Sequence, residues 1–305
     1  MAMLNPPELR PSVMLIILRY LASQRSYQDR ESRLIATLAP ASLAGEDPAR
    51  DVRVNLAATI DLRLVTRDGE YVTLVEDVLP AVRAGESTTV ALIRARIMAD
   101  DANTAPWGSQ IGARDLTNAL SWFLTFPPDE APTRMAGGDR SANELQETDF
   151  GPRQQTALSS DDDDVAPGGW PLRNPSRWNT FQRWAPSLGF AWVHPKGHLV
   201  PDPTPALRQV LPAVLGDVSE LSAREFVDRV AAALPVLDSG RYRAFVEANW
   251  RRPTPEHRRL SVPLSDALER LRSEGRLRFD DRADAARVAR ADGSTFSHVW
   301  IGTTP

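Results

Sequence analysis

Helix-period apolar stripes, short alternating runs and one long polar stretch predict an α+β chain. It is mainly helical with small β-hairpins, and tandem modules flank a disordered acidic linker. The first module shows the order of its elements. Pro11 and Ser12 open a helix in which Val13, Ile16, Ile17, Tyr20 and Leu21 recur at helical spacing. Arg25, Ser26 and Tyr27 read as an extended connector, and Leu34, Ile35 and Leu38 mark a second helix over 30–38. Asp47 caps a third helix, Pro48 takes its first position, and Val52, Leu56 and Ile60 line its inward side. The runs 62–65 and 71–75, joined by the turn Arg67-Asp68-Gly69-Glu70, form a hairpin. Three helices followed by a hairpin is the order of a winged helix.

Two further helices are expected over 86–99 and 112–125, so the first domain spans 1–126. Residues 127–173 are polar, rich in glycine and proline, and include four consecutive aspartates at 161–164. Such a stretch lacks the apolar surface to offset its ordering entropy and reads as a disordered tether. The C-terminal region, 174–305, begins with Trp178, Phe181 and Trp184 at a spacing of three, a stripe that reads as core. The runs 189–193 and 198–200 around Pro195-Lys196-Gly197 suggest a second hairpin. Helices are expected over 204–215, 222–234 and 239–249. A third unit starts near Leu264, is stopped at Gly275 and ends in a strand over 295–301.

Composition narrows the function. The chain has no cysteine, which excludes disulfides, thiol catalysis and cysteine-ligated zinc. The apolar run 13–18 is far shorter than the ~20 residues of a membrane span and is followed at once by Arg19, so a cytoplasmic protein without membrane contact is expected. Net charge is −2 over 1–126, −6 over 127–173 and +4 over 174–305, which assigns any attraction to phosphate to the C-terminal region. There is no phosphate-binding glycine loop, no GxSxG and no HExxH. His194 and His198 are separated by Pro195 and Gly197 and read as polar surface. His257 and His298 have no companion at ligand spacing, and the aspartate run lacks the glycine and glutamate of a calcium loop. The expectation is a non-enzymatic protein without metal or cofactor.

A helix that reads bases should present arginine, lysine, asparagine or glutamine outward. Around the Val52–Leu56–Ile60 stripe the outward positions are Arg50, Asp51, Val54, Ala57, Ala58 and Asp61, a poor base-reading surface. Arg50, Asp51, Val54 and Ala58 are therefore the expected protein-docking residues. The expected nucleic-acid contacts are Lys196, Arg251, Arg252, Arg258, Arg259, Arg276 and Arg278, reaching duplex DNA.

The stretch Asn174-Pro175-Ser176-Arg177-Trp178 through Phe181, Trp184 and Leu188-Gly189-Phe190 resembles the DpdG family. So does the ending Leu264-Ser265-Asp266-Ala267-Leu268 through Gly275-Arg276-Leu277, together with the N-terminal module. That resemblance implies a setting in bacterial clusters that place 7-deazaguanine derivatives in DNA and restrict foreign DNA, with helicase or nuclease subunits as partners. It brings no catalytic residues. Two functions follow: an adaptor or DNA-sensing subunit of such a defence assembly, or a stand-alone transcriptional regulator on operator DNA.

Overall fold

The computed structural model describes residues 2–40, 42, 47–109, 111–152, 170–253 and 259–301. In chain order its helices are α1 (Pro11–Ser23), α2 (Glu31–Leu38), α3 (Arg50–Asp61), α4 (Leu79–Ala84), α5 (Glu86–Ile97), α6 (Arg114–Phe123), α7 (Ala142–Phe150), α8 (Pro175–Ser187), α9 (Thr204–Leu215), α10 (Ala223–Ala233), α11 (Arg241–Glu247) and α12 (Val262–Ser273). The strands are β1 (Gln28–Arg30), β2 (Val65–Asp68), β3 (Tyr71–Leu74), β4 (Ala191–Val193), β5 (Leu199–Pro201), β6 (Glu220–Ser222), β7 (Leu277–Asp280), β8 (Val288–Ala289), β9 (Thr295–Phe296) and β10 (His298–Ile301). The chain divides into two compact units. Unit 1 comprises Met1–Ala105, Gln110–Leu116 and Asn174–Ser187, and unit 2 the remainder.

In unit 1, α1 buries Met14, Leu15, Ile17, Leu18 and Leu21 and packs on α2, α3, α4 and α8. Each fully buried side chain of this kind contributes about 1.5–3 kcal/mol of transfer free energy. The connector after α1 is a 3₁₀ turn rather than extended chain, because Ser26 and Tyr27 adopt positive φ (61° and 56°). That turn feeds β1, which sequence periodicity did not reveal. β1 pairs antiparallel with β3, and the sheet order is β1-β3-β2. Gly69 takes φ 55° in the hairpin turn.

The aromatic helix α8 belongs to unit 1 and not to the C-terminal region. Trp178, Phe181 and Trp184 are buried, as a core stripe should be. Arg177, on the same helix, reaches Asp115 through Nη1 at 3.0 Å, and both side chains are almost wholly buried. Asp115 also accepts the backbone N–H groups of Met3 (3.1 Å), Leu4 (2.8 Å) and Leu116 (2.7 Å). One carboxylate thus ties together the N-terminal segment, the start of α6 and α8.

Unit 2 repeats the order of unit 1. A helix (α9), a three-residue strand (β6) followed at once by a helix (α10), a later helix (α12) and two paired strands (β7 and β10) form a sheet of order β6-β10-β7. The inserted α11 and the small β8-β9 pair are the departures. Leu207, Leu211, Phe226, Val230, Leu264, Leu268 and Val299 fill this core. The repeat therefore begins near residue 204, not near Leu264. The hairpin β4-β5 precedes it and pairs only with itself.

Parts of the expected linker are ordered. Residues 127–152 and 170–173 are described and contain α7, whose Ser141 cap accepts from Glu144 N at 3.3 Å. A polar helix persists here because its polar side chains are the packing. Gln146 exchanges hydrogen bonds with the backbone of Leu172 (Oε1 from N, 2.7 Å; Nε2 to O, 2.8 Å). The aspartates at 161–164 lie outside the described residues.

Burial pushes the Asp115 carboxyl up to about 6, against the downward pull of Arg177 and the three N–H groups. Between pH 4 and 6 the native state therefore holds a proton that the unfolded chain has released, so this group lowers stability as pH rises through that window. Arg177→Met should cost about 3–5 kcal/mol at pH 8 in urea unfolding. The deficit should shrink on acidification, as the stranded carboxyl takes up a proton. A deficit independent of pH would show that the carboxylate is not the origin of the loss.

Candidate nucleic-acid and protein interfaces

The third helix of unit 1 carries its charges in pairs. Arg50 meets Glu8 (2.8 Å), Asp51 meets Arg10 (3.4 Å), and Arg53 pairs with Asp47. The hairpin beside it is equally neutralised: Arg67 meets Glu31 at 2.9 Å and Arg30 meets Glu70 at 3.4 Å. Of the expected docking residues, Arg50 is exposed, and Asp51 and Val54 are partly so. Ala58 is 1% exposed and is corrected to core. The helix is covered on two sides, which a single-stripe projection overlooks. Ala58 lines a 310 Å³ cleft with Met3, Asp61, Asp101, Thr104 and Ile111. Asn55 is buried as well. It accepts from Arg10 N and donates to the carbonyls of Glu8 and Asp51, all at 2.8 Å. Ile60, expected inward, is only half-buried.

The corresponding helix of unit 2, α12, shows the same self-compensation. Arg270 pairs with Asp202. Glu269 receives Arg272 at 3.2 Å and Arg290 at 2.9 Å, and Asp266 is exposed. At its end, Glu274 binds both Arg208 and Arg276, and these guanidiniums hold its carboxyl below the usual carboxylate range. On the following loop, Arg282 meets Glu220 (2.8 Å) and Arg287 meets Asp281 (2.8 Å).

The arginines expected to contact nucleic acid do not form one patch. Arg252 is drawn into the interior of unit 2. Its Nε and Nη2 hold Asp149 at 2.6 and 2.5 Å, its Nη1 reaches Thr125 at 3.1 Å, and its guanidinium lies 4.4 Å from the Phe126 ring centroid. Asp149 is 3% exposed and also accepts Trp122 Nε1 at 2.7 Å, while its carbonyl accepts Arg251 N at 2.6 Å. The Arg251 guanidinium packs where a Cβ on Gly151 would stand, and the positive φ of Gly151 (+85°) is the conformation that favours glycine there. Arg259 donates to Ala291 O at 3.0 Å, and Arg276 pairs with Glu274 at 3.2 Å. Arg278 is exposed on β7 and Lys196 on the β4-β5 turn, whereas Arg258 lies outside the described residues. Neighbours in sequence made Arg251 and Arg252 look equivalent. The partner that separates them, Asp149, stands about a hundred residues earlier in the chain.

Sequence reasoning did not find Asp115, Arg177 or Asp149. No local spacing marks an ion pair whose halves lie so far apart. Among the described residues, no cluster of three or more His, Asp or Glu is placed to hold a metal, and no helix is long and apolar enough to cross a membrane. The cleft beside Ala58 offers Asp61 and Asp101, the latter already bound to Arg63 at 2.6 Å.

The DpdG-like family model matches residues 1–285, which takes in the first repeat and the second as far as β7, short of β8, β9 and β10. The chain belongs to the DpdG-like family. No curated protein and no solved structure matches it. The family's match runs through the N-terminal module, the aromatic helix α8 and α12, all of which carry the sequence resemblance.

Arg252→Ala should behave as a core mutation in this DpdG-like chain. It strands Asp149 and should cost about 3–5 kcal/mol in chemical denaturation. Arg251→Ala, which keeps the backbone hydrogen bond, should cost less than about 1 kcal/mol. Equal effects from the two would contradict their assignment.

Proposed function

We propose that the chain is a non-enzymatic adaptor or DNA-sensing subunit, built from two winged-helix modules, of a bacterial DNA-restriction assembly. Family membership associates it with 7-deazaguanine DNA-modification clusters. The winged-helix reading is supported by the order helix, strand, helix, helix, hairpin in unit 1, by the same order in unit 2 with α11 and the β8-β9 pair inserted, and by a sheet in each whose last strand lies between the other two. In a module of this kind the third helix would enter the major groove.

The observation that carries the proposal is the charge pairing on those third helices. Base readout needs donors free to face base edges. Arg50 and Arg53 on α3, and Arg270 and Arg272 on α12, are already engaged by carboxylates of their own unit. A mixed, self-paired charged face suits a protein surface of matching pattern, whereas a polyanion would also meet Asp51, Asp61, Asp266 and Glu269. This favours docking onto protein subunits, with helicase or nuclease components as the partners, over the alternative of an operator-binding regulator. The cytoplasm is the compartment where such an assembly works. The exposed arginines Arg251, Arg259 and Arg278 of unit 2 are proposed as auxiliary phosphate contacts, whereas Arg276 is already held by Glu274.

Co-purification of the full chain with helicase and nuclease subunits of a 7-deazaguanine DNA-modification cluster tests the adaptor role. Reversing the exposed charges with Arg50→Glu and Arg53→Glu should weaken retention by about tenfold or more. The purified chain alone should show no nuclease or ATPase turnover with magnesium, manganese or zinc. Turnover abolished by one substitution would end the non-enzymatic reading, and unaltered retention in the double variant would remove α3 from the interface.

A further inference from the structure

The β4-β5 hairpin differs from the other charged surfaces because, among the described residues, its Lys196 has no carboxylate partner. No Asp or Glu occurs between Ser187 and Pro201. Trp192 is 40% exposed and Val193 53%, and both sit on β4, while the hairpin is anchored by buried Ala191, Leu199 and Val200. Three rings follow one another along it. Trp192 lies 5.7 Å from His194, and His194 stacks on His198 at 4.3 Å with the planes only 19° apart. The turn between the histidines is closed by His194 N donating to His198 O at 2.8 Å and Gly197 N to His194 O at 2.7 Å, and it presents Lys196 to solvent. His194 Nδ1 accepts from Lys196 N at 3.2 Å.

We propose that this hairpin grips an unpaired DNA strand, with bases against Trp192 and the His194–His198 stack and phosphates against Lys196. The inference rests on the DNA-sensing half of the proposed function and names the ligand and the place. Exposed rings in series beside cations are the pattern that holds single strands, because every base has a face to stack and every nucleotide carries a phosphate. A duplex hides those faces inside its own stack. A protein docking site would be expected to mix both signs of charge, as α3 and α12 do.

The histidines add a pH response. His198 is held below the usual histidine range, first by burial and then by the neighbouring positive charges of His194, Arg140 and Lys196. Asp202, four residues after His198, is the nearest carboxylate in sequence and is already paired with Arg270, and Asp139 precedes Arg140 in the chain. A phosphate seated among these groups reverses the repulsion and favours the imidazolium, so binding takes up protons and strengthens as pH falls through the histidine range.

The test uses the full chain and a fluorescein-labelled 20-mer of thymidine, with a mixed-sequence duplex of equal length as comparison, read by anisotropy. The single strand should bind more tightly than the duplex. Trp192→Ala should weaken it by about tenfold or more, and Trp192→Phe should retain most of the affinity. Lys196→Ala should reduce the salt slope by about 0.7. The double variant His194→Gln and His198→Gln should abolish the gain between pH 8 and pH 5.5. Single-strand binding that ignores Trp192 would refute the hairpin site while leaving DNA sensing in place. Absence of DNA binding altogether would remove both, leaving an adaptor. If Trp192→Ala instead impairs capture of the protein partner and leaves DNA affinity unchanged, the hairpin is a protein contact and the proposal fails.

Discussion

Arginine paired with carboxylate inside a single unit is the interaction on which this molecule depends. Thirty-five of its 36 basic residues are arginines, set against 40 acidic ones, and the planar guanidinium is suited to bidentate partners that lysine would hold as a point charge. Buried, the pairing fixes the architecture. Asp115–Arg177 joins distant segments of unit 1, and Asp149–Arg252 joins α7 to the segment after α11 in unit 2. Exposed, it governs what the surface can bind. A guanidinium already satisfied by a carboxylate must exchange one charged hydrogen bond for another to reach phosphate, and the released carboxylate then repels the same phosphate. The two uses have different energetics: the buried pairs are costly to break from one side, whereas the surface pairs contribute little to stability and act through pattern.

That distinction explains which parts of the molecule were legible in the sequence. The helices around Leu18, Leu56 and Leu268 and the hairpin at Gly69 were readable because each buries an apolar stripe or needs a positive φ. Strands β1 and β6, three residues each, are too short to show a period, so the repeat in unit 2 was recognised only from Leu264 onward. Helix α7 reads as linker because its structural residues are Gln146 and Asp149 rather than leucines. The capping pair Ser141 and Glu144 was its available signal. The interface residues fared unevenly for the same reason. Arg50, Asp51 and Val54 reach solvent as expected, but the position of Ala58 depends on segments far away in the chain, and the role of Arg252 depends on Asp149. Local sequence carries the period of an element and not the identity of a distant partner.

Charge compensation is complete on the third helices and missing from the β4-β5 hairpin among the described residues. The third helices are internally balanced and suit a protein partner, while the β4-β5 hairpin keeps its cations and aromatic rings uncommitted to carboxylates of its own stretch. In the proposed role as a subunit of a DNA-restriction assembly, one property would hold the chain in place and the other would respond to nucleic acid. The most direct test of the central claim is selection by the full chain from a library of random-sequence duplexes, followed by sequencing. The account predicts no enriched motif over successive rounds. An enriched motif whose binding is lost on Arg50→Ala with Arg53→Ala, or on Arg270→Ala with Arg272→Ala, would contradict it and make these helices readers of DNA sequence.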